Sequence, residues 1–408
     1  MMITGAKLWA TGIVTMTIFF QGCFPISASH KSIEQRVDEV SASNKHDMEE
    51  GFKLILSSDW MRELGDTRLM DIQIIPGSHN SASAKPRNPE DGPGYEFFRQ
   101  QELSILDQLN SGVRLIDLRL RYQSGPVEAI RAALRTDKTE SHIRVSHSFD
   151  SSYVLEHALD EIRHFLGEHA GEVVLLMVRG DWPPEKHFSR PDQKEERVGE
   201  VAQLLNKSGL SFVRRSNLDP QKVTLGSVAG QVILISDWLQ EDPNDSGKDL
   251  LKDNGIEYIP RSEFYKVCDA WNDKSVDDSL KKIDQLMTDT DREFDASRRR
   301  KPVDEKDCTT FAFHGSALFT GIGLDHSSIT APPCVTSKNW IEWFISNLET
   351  NTKWNPNVPI GIVLIDFTNP FTIKRLLDVG FNRANMKVRV QFPIEWAKGL
   401  DLHCAFVN

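Results

Sequence analysis

Ile74-Ile75-Pro76-Gly77-Ser78-His79-Asn80-Ser81 is an apolar run that stops at groups able to exchange protons or bind an anion. Leu115-Ile116-Asp117-Leu118-Arg119 and Val145-Ser146-His147 are built in the same way. A short apolar run ending at a His or an Asp has the form of a buried barrel strand that opens into a site. One such run means little, because a lone histidine after a strand is more often a satisfied structural residue. The weight lies in how many runs share the pattern.

Eight apolar runs follow Asp71, at residues 72–75, 113–118, 143–145, 173–178, 232–235, 264–267, 311–313 and 360–365. Nearly continuous apolar strands separated by helical or loop segments indicate a buried parallel sheet. The helix between the third and fourth runs is the clearest. Val154, Leu155, Ala158, Leu159, Ile162, Phe165 and Leu166 make one face at helical spacing. Ser151 or Ser152 can cap its start and Gly167 its end. His157, His164 and His169 read as its solvated side rather than a metal cluster. Other helices are expected at 195–207, 275–287, 338–350 and 371–379. Residues 272–278 and 298–307 are polar loops, with Arg298-Arg299-Arg300-Lys301 a solvated basic cluster. Ala331-Pro332-Pro333 reads as a stiff loop before Cys334. The pattern fits an α/β fold, a (β/α)8 barrel of the TIM type in one domain over residues 68–390. An open doubly wound sheet is the alternative. No G-x-G-x-x-G follows a strand, which weakens a dinucleotide reading.

The 408 residues carry a net charge of −11, with 39% hydrophobic and 26% charged residues, an ordinary globular composition. Such a surface is not drawn by bulk charge to nucleic acid or to an anionic membrane, so any membrane or phosphate contact must be local. Lys7, the uncharged residues 8–20 and the small residues Ser27, Ala28 and Ser29 have the order of a signal peptide over 1–29. The expected location is therefore secreted or extracytoplasmic. Gly22-Cys23 offers lipid attachment as an alternative, and the apolar run is short for a membrane span. Removal of the segment leaves Cys268, Cys308, Cys334 and Cys404, which suit two disulfides in any of three connectivities. The absence of C-x-x-C argues against zinc. Asn206-Lys207-Ser208 and Asn244-Asp245-Ser246 are glycosylation sequons. Residues 30–67 read as a polar leader, partly disordered, with weak helical spacing at Ile33, Val37 and Val40; Trp60 and Leu64 begin the packed domain. Residues 391–408 read as a C-terminal tail.

Each run ends at polar chemistry. The endings are His79, then Asp117 with Arg119, His147, Arg179, Asp237-Trp238, Asp269 with Trp271, His314 and Asp366. In a parallel barrel these ends share one rim, and eight of them make a ring of imidazoles, guanidiniums and carboxylates. Asp237 and His314 could simply satisfy loop backbone groups. Two histidines can take a proton from an attacking hydroxyl and give one to a leaving oxygen. A carboxylate beside each orients the ring, and a planar arginine matches two phosphate oxygens. The set suggests phosphoryl transfer with no cofactor and no obligatory metal. A calcium site would want three or more converging oxygens. Asp117 and Asn80 begin one, but Arg119 on the same strand face repels a cation.

At these residues the chain resembles the phosphatidylinositol-specific phospholipase C X-domain family, particularly its bacterial, metal-independent branch. The matching stretches are Ile75-Pro76-Gly77-Ser78-His79-Asn80, Gln108-Leu109 through Arg119, and Ser146-His147. Residues 173–179, 265–271 and Val363-Leu364-Ile365-Asp366-Phe367 also correspond, so the resemblance runs from about residue 68 to about 385. It implies a distorted barrel acting on a phosphoinositide lipid at a membrane surface, with no nucleic-acid or protein partner. The inositol 2-hydroxyl would attack phosphorus and expel diacylglycerol, leaving a cyclic phosphate that can be hydrolysed further. Carried over by position, His79 is the general base, Asp366 its carboxylate partner, Arg119 the phosphate-stabilising group and His147 the general acid. Asp117 supports the cluster, and Arg179, Asp269 and Trp271 fall where inositol is contacted. Asn80 departs from the metal-independent branch, which has Asp there; the calcium-dependent branch has Asn, but an acidic residue where Arg119 stands. Asp237-Trp238 lacks a basic residue that some relatives carry, which bears on head-group preference. Two readings stay open beside the phospholipase: a metal-dependent glycerophosphodiester or sphingolipid phosphodiesterase, and a non-catalytic lipid- or inositol-binding barrel. Phe97, Phe98, Trp182, Trp238 and Phe319 are candidates for membrane contact.

Overall fold

A computed structural model of the chain describes residues 32–83, 100–122, 143–145, 153–180, 191–219, 222–236, 250–260, 266–269, 316–319, 333–350, 355–400 and 402. Its strands are β1 (Lys53–Leu56), β2 (Ile74–Ser78), β3 (Leu115–Tyr122), β4 (Ile143–Val145), β5 (Val174–Gly180), β6 (Val232–Ser236), β7 (Ile259–Pro260), β8 (Lys266–Asp269), β9 (Ser316–Phe319), β10 (Gly361–Ile365) and β11 (Val388–Gln391). Its helices are α1 (Ile33–Glu49), α2 (Ile105–Asn110), α3 (Leu155–Glu168), α4 (Pro191–Lys207), α5 (Leu250–Asp253), α6 (Pro333–Thr350), α7 (Pro370–Arg383) and α8 (Ile394–Lys398). Among the described residues no helix is long and apolar enough to cross a membrane.

The main sheet runs β7-β6-β5-β3-β2-β10-β9-β8, every neighbouring pair parallel. The order is cyclic. The first strand, β2, lies between the second, β3, and the last, β10. A barrel winds in one sense until its last strand meets its first, whereas a doubly wound sheet reverses at a switch point. The architecture is therefore a distorted (β/α)8-type barrel, and the doubly wound alternative is set aside. Two features distort it: β4 pairs antiparallel with β3, and among the described residues β7 and β8 share no pairing. Every residue of β2, β6 and β10 is buried, as strands covered on both faces require.

Gly77 shows how tightly β2 is held. A Cβ there would come within 2.7 Å of Leu364 Cδ2 and 3.1 Å of Leu115 Cβ, so only glycine fits between the neighbouring strands. Beneath the barrel, Arg114 directly before β3 and Glu172 two residues before β5 are wholly buried. Arg114 Nε donates to Glu172 Oε2 at 2.8 Å, and its Nη groups donate to the carbonyls of Leu109, Val113, Ser57 and Ser58. Glu172 also accepts from the backbone N–H groups of Met61 and Arg62. The guanidinium lies 4.8 Å from the centre of the Phe165 ring and 5.8 Å from that of Trp60. A buried ion pair is tolerable only when its remaining hydrogen bonds are met, as here.

Several expectations are corrected. Residues 33–49 are not a loose leader. Ser32 and Gln35 form a capping box at the start of α1, and Val37 packs with Phe392 and Ala397 beside Ile33, Val40, Ile394 and Trp396. β1 then pairs with β11, and Trp60 and Met61 are core residues. The same contacts make residues 391–400 part of the fold rather than a tail, and packing runs across both expected limits, 67/68 and 390/391. The helix after the third run starts later than its serines suggest. Val154 is held extended by a bridge to Arg144, so α3 begins at Leu155 with no side-chain cap, and it passes Gly167 to end at Glu168. His157 and His164 are solvated, but His169 is half-buried, its Nδ1 lying 3.2 Å from Asp59 Oδ1. Pro333 opens α6 as a first-turn proline instead of belonging to a loop. The run at 311–313 lies outside the described residues, and the strand found there is Ser316–Phe319. The expected helix at 275–287, the loops at 272–278 and 298–307, Asn244, Cys308 and Cys404 also lie outside them.

Candidate active site

Strand register builds the site. Ile365 at the end of β10 pairs with Ser78 at the end of β2, so the next residues, Asp366 and His79, fall side by side. Ser78 pairs with Ile116, which brings His79 level with Asp117 on β3. Arg119 pairs with Arg179 on β5. Strand side chains alternate, so Asp117 and Arg119 share a face with Arg179. All lie at the C-terminal end of the barrel, where such folds carry their sites.

His79 and Asp366 are 1% and 5% exposed, and His79 Nδ1 lies 2.8 Å from Asp366 Oδ1. At the other ring nitrogen, Nε2, stand Arg119 Nη2 at 2.7 Å and Asn80 Nδ2 at 3.2 Å. A guanidinium has no acceptor. Nε2 therefore accepts, and the ring proton sits on Nδ1, donated to Asp366. This is the tautomer of a base whose Nε2 electron pair faces the site, where Arg119 donates to it.

Asp117 is fully buried, and burial alone would raise its pKa. Arg179, Arg119, His79 and the backbone N–H of Asn80 act the other way and hold it down to about 2. Arg179 Nη2 donates to Asp117 Oδ2 at 3.3 Å, Asn80 N donates to the same oxygen at 3.1 Å, and Arg119 Nε is 3.8 Å from it. The carboxylate thus anchors two guanidiniums. Among the described residues Asp117 Oδ1 and Asn80 Oδ1 are buried with no hydrogen-bond partner.

The turn after β2 is bound to β3 through serines. Ser81 Oγ donates to the Ser78 carbonyl and accepts the Asp117 N–H at 2.8 Å, while the Ser81 N–H donates to the Asp117 carbonyl. Asn80 takes a left-handed φ of 45°, tolerable for asparagine, and its amide donates to Gln100 Oε1. Gln101, buried, bonds the carbonyls of His79 and Ile365, and Gln108, also buried, those of Ser81 and Leu103. Sequence reasoning missed Gln100 and Gln101, because a glutamine in a polar loop carries no sign that it will be buried.

The structure thus brings together six of the expected residues: His79, Asn80, Asp117, Arg119, Arg179 and Asp366. Asp269 ends β8, opposite Phe319 of β9. His147, Asp237, Trp271 and His314 lie outside the described residues, as do Phe97, Phe98, Trp182 and Trp238. The antiparallel turn of β4 corrects the expectation that the third run ends at the rim as a parallel strand. Its last residue, Val145, instead lies opposite Leu120, next to Arg119. Among the described residues the site does not fit a calcium ion. Two unpaired oxygens are far from six to eight ligands, and both arginines lie against the only carboxylate among them. Among the described residues no group of three or more His, Cys, Asp or Glu could hold a metal.

No family model matches the chain. A 1-phosphatidylinositol phosphodiesterase of Staphylococcus aureus (strain Newman) is 22% identical over 180 residues, 44% of this chain and 50% of that protein. The chain thus aligns with about half the length of the curated relatives it matches. The solved phosphatidylinositol-specific phospholipase C of Listeria monocytogenes superposes with a TM-score of 0.53 at 19% identity, covering 80% of this chain and 99% of that one. A solved phosphatidylinositol-specific phospholipase C of S. aureus gives 0.55 at 19% identity, covering 79% and 97%. The resemblance carried by the sequence motifs extends to the fold over about 80% of the chain, and this chain has the fold of the phosphatidylinositol-specific phospholipases C.

Proposed function

We propose that the chain is a phosphodiesterase cleaving phosphatidylinositol-type lipids by metal-independent acid–base catalysis. The observation that carries this reading is His79, held by Asp366 with Nε2 as an acceptor, with Arg119 2.7 Å from that nitrogen. A substrate phosphate would draw the Arg119 guanidinium onto its oxygens and release Nε2. Nε2 then takes the proton of the inositol 2-hydroxyl as that oxygen bonds to phosphorus. The bond from phosphorus to the glycerol oxygen breaks, and the leaving oxygen receives a proton from His147. The products are diacylglycerol and a cyclic inositol phosphate, and water can open the cyclic diester in a second stage.

The assignment of His147 rests on the sequence resemblance, in which Ser146-His147 matches the family's second histidine. Asp117 keeps Arg119 and Arg179 aimed at the same space, and Arg179 with Asp269, Trp271 and Asp237 would contact the head group. Asn80 Oδ1 and Asp117 Oδ1, both acceptors, suit hydroxyl donors of a polyol. Residues 1–29 support export, toward an outer membrane surface where such lipids would be met.

Kinetics of the histidine variants test the mechanism. His79→Ala and His147→Ala should each abolish turnover of phosphatidylinositol while leaving the fold intact. Turnover that survives both substitutions would sink it.

A further inference from the structure

We infer that Gln101 is a positioning residue for the His79–Asp366 pair, fixing the ends of β2 and β10 at the spacing the pair needs. The inference rests on the reading given under Proposed function. Gln101 is wholly buried, and its side chain uses its full hydrogen-bonding capacity. Nε2 donates to the His79 carbonyl at 2.8 Å and to the Ile365 carbonyl at 2.9 Å. Oε1 accepts from Thr368 N at 3.0 Å and Thr368 Oγ1 at 2.8 Å. One amide therefore ties the backbone of the base itself to both sides of its carboxylate partner.

Backbone conformation shows why a tie is needed there. The residue after His79 is Asn80, at φ 45°, and the residue after Asp366 is Phe367, at φ 54°. Both strands therefore break into the left-handed region immediately beyond the catalytic side chains. For a phenylalanine this conformation is an outlier that persists only where its surroundings over-determine it. The loop carrying Gln101 supplies the restraint, since the Phe367 N–H donates to the Gln100 carbonyl at 2.6 Å. The loop is itself anchored, with Leu103 packed on Leu402 beside Ile33, Phe371 and Leu400. A glutamate at 101 would keep the size but set a charged oxygen against two carbonyl oxygens. A methionine would remove a hydrogen bond from four polar groups, of which the Ile365 carbonyl keeps the one from the His79 N–H at 3.1 Å.

The test uses the full chain and a signal that needs no substrate. The His79 Nδ1 proton, held in its bond to Asp366, gives a downfield proton NMR resonance, assigned by its absence in His79→Gln. Gln101→Glu and Gln101→Met should each broaden or remove it while the amide spectrum keeps the dispersion of a folded barrel. With phosphatidylinositol, kcat should fall about 10–100-fold with KM within about twofold, as for a misplaced rather than missing base. An unchanged resonance in the folded variants overturns the inference, whatever the turnover, and so does a wild-type spectrum that lacks it. A resonance that responds in a protein that turns over no phosphatidylinositol upholds the positioning role and refutes the activity. Should both variants fail to fold, Thr368→Val removes one hydrogen bond to Gln101 Oε1 and should broaden the same signal; no change there overturns the inference.

Discussion

Asp117 ties together the charges of the site, and its ionisation has a measurable consequence. Its folded pKa of about 2 lies below the ordinary 3.8, so the stability it contributes is fully present above about pH 4 and is lost as pH falls toward 2. The difference corresponds to about 2 kcal/mol. Urea unfolding of the wild type should therefore lose about that much more stability between pH 5 and pH 2 than unfolding of Asp117→Asn. Equal losses would mean that the carboxylate is not held ionised by its arginines. In the proposed mechanism Arg119 has a separate role, its planar fork matching two phosphate oxygens where a lysine would offer one point charge. Arg119→Lys should lower kcat by about 10²–10³-fold with little change in stability, as measured by initial rates and a thermal melt. These residues were legible in the sequence because each ends or lies within an apolar run. The tautomer of His79 was not, since it depends on which donors face Nε2, and Arg119 lies 40 positions away.

Elements were legible where their own residues dictate them and obscure where a distant partner does. β2, β3, β5, β6 and β10 are apolar enough to be read alone. The direction of β4 is not, because a run of three residues has none until Leu120 and Tyr122 pair with it. The start of α3 was misjudged for a related reason: the bridge from Val154 to Arg144 overrides the nearby serine caps. Two predictions belong at this scale. Gly77→Ala forces a Cβ against Leu364 and should cost about 1–3 kcal/mol in urea unfolding. Glu172→Ala leaves Arg114 buried without its partner and should cost about 3–5 kcal/mol. The Arg114–Glu172 pair lies at the opposite end of the strands from His79, so the folded fraction of Glu172→Ala should keep its kcat.

Two pairings far apart in sequence join the described residues. β10 meets β2 to complete the cyclic order, and residues 33–56 meet residues 388–398 where β1 pairs with β11 and α1 packs on α8. The cyclic order could be anticipated from eight runs separated by helices and loops. The second pairing could not, because Ile33, Val37 and Val40 of α1 look too sparse to fold until Phe392, Ile394, Trp396 and Ala397 are brought against them. That layer should open as a unit of its own. Val37→Asp should speed hydrogen exchange across α1, β1, β11 and α8 while the amides of β2, β5 and β10 stay protected. The proposed mechanism turns on the rim above this frame, where Asp366 and Arg119 flank the two ring nitrogens of His79. Phosphorus NMR of the purified chain with phosphatidylinositol in detergent and excess chelator tests it most directly. A cyclic inositol phosphate signal that grows in chelator is the predicted result, and product formed only after calcium is added, or not at all, would contradict it.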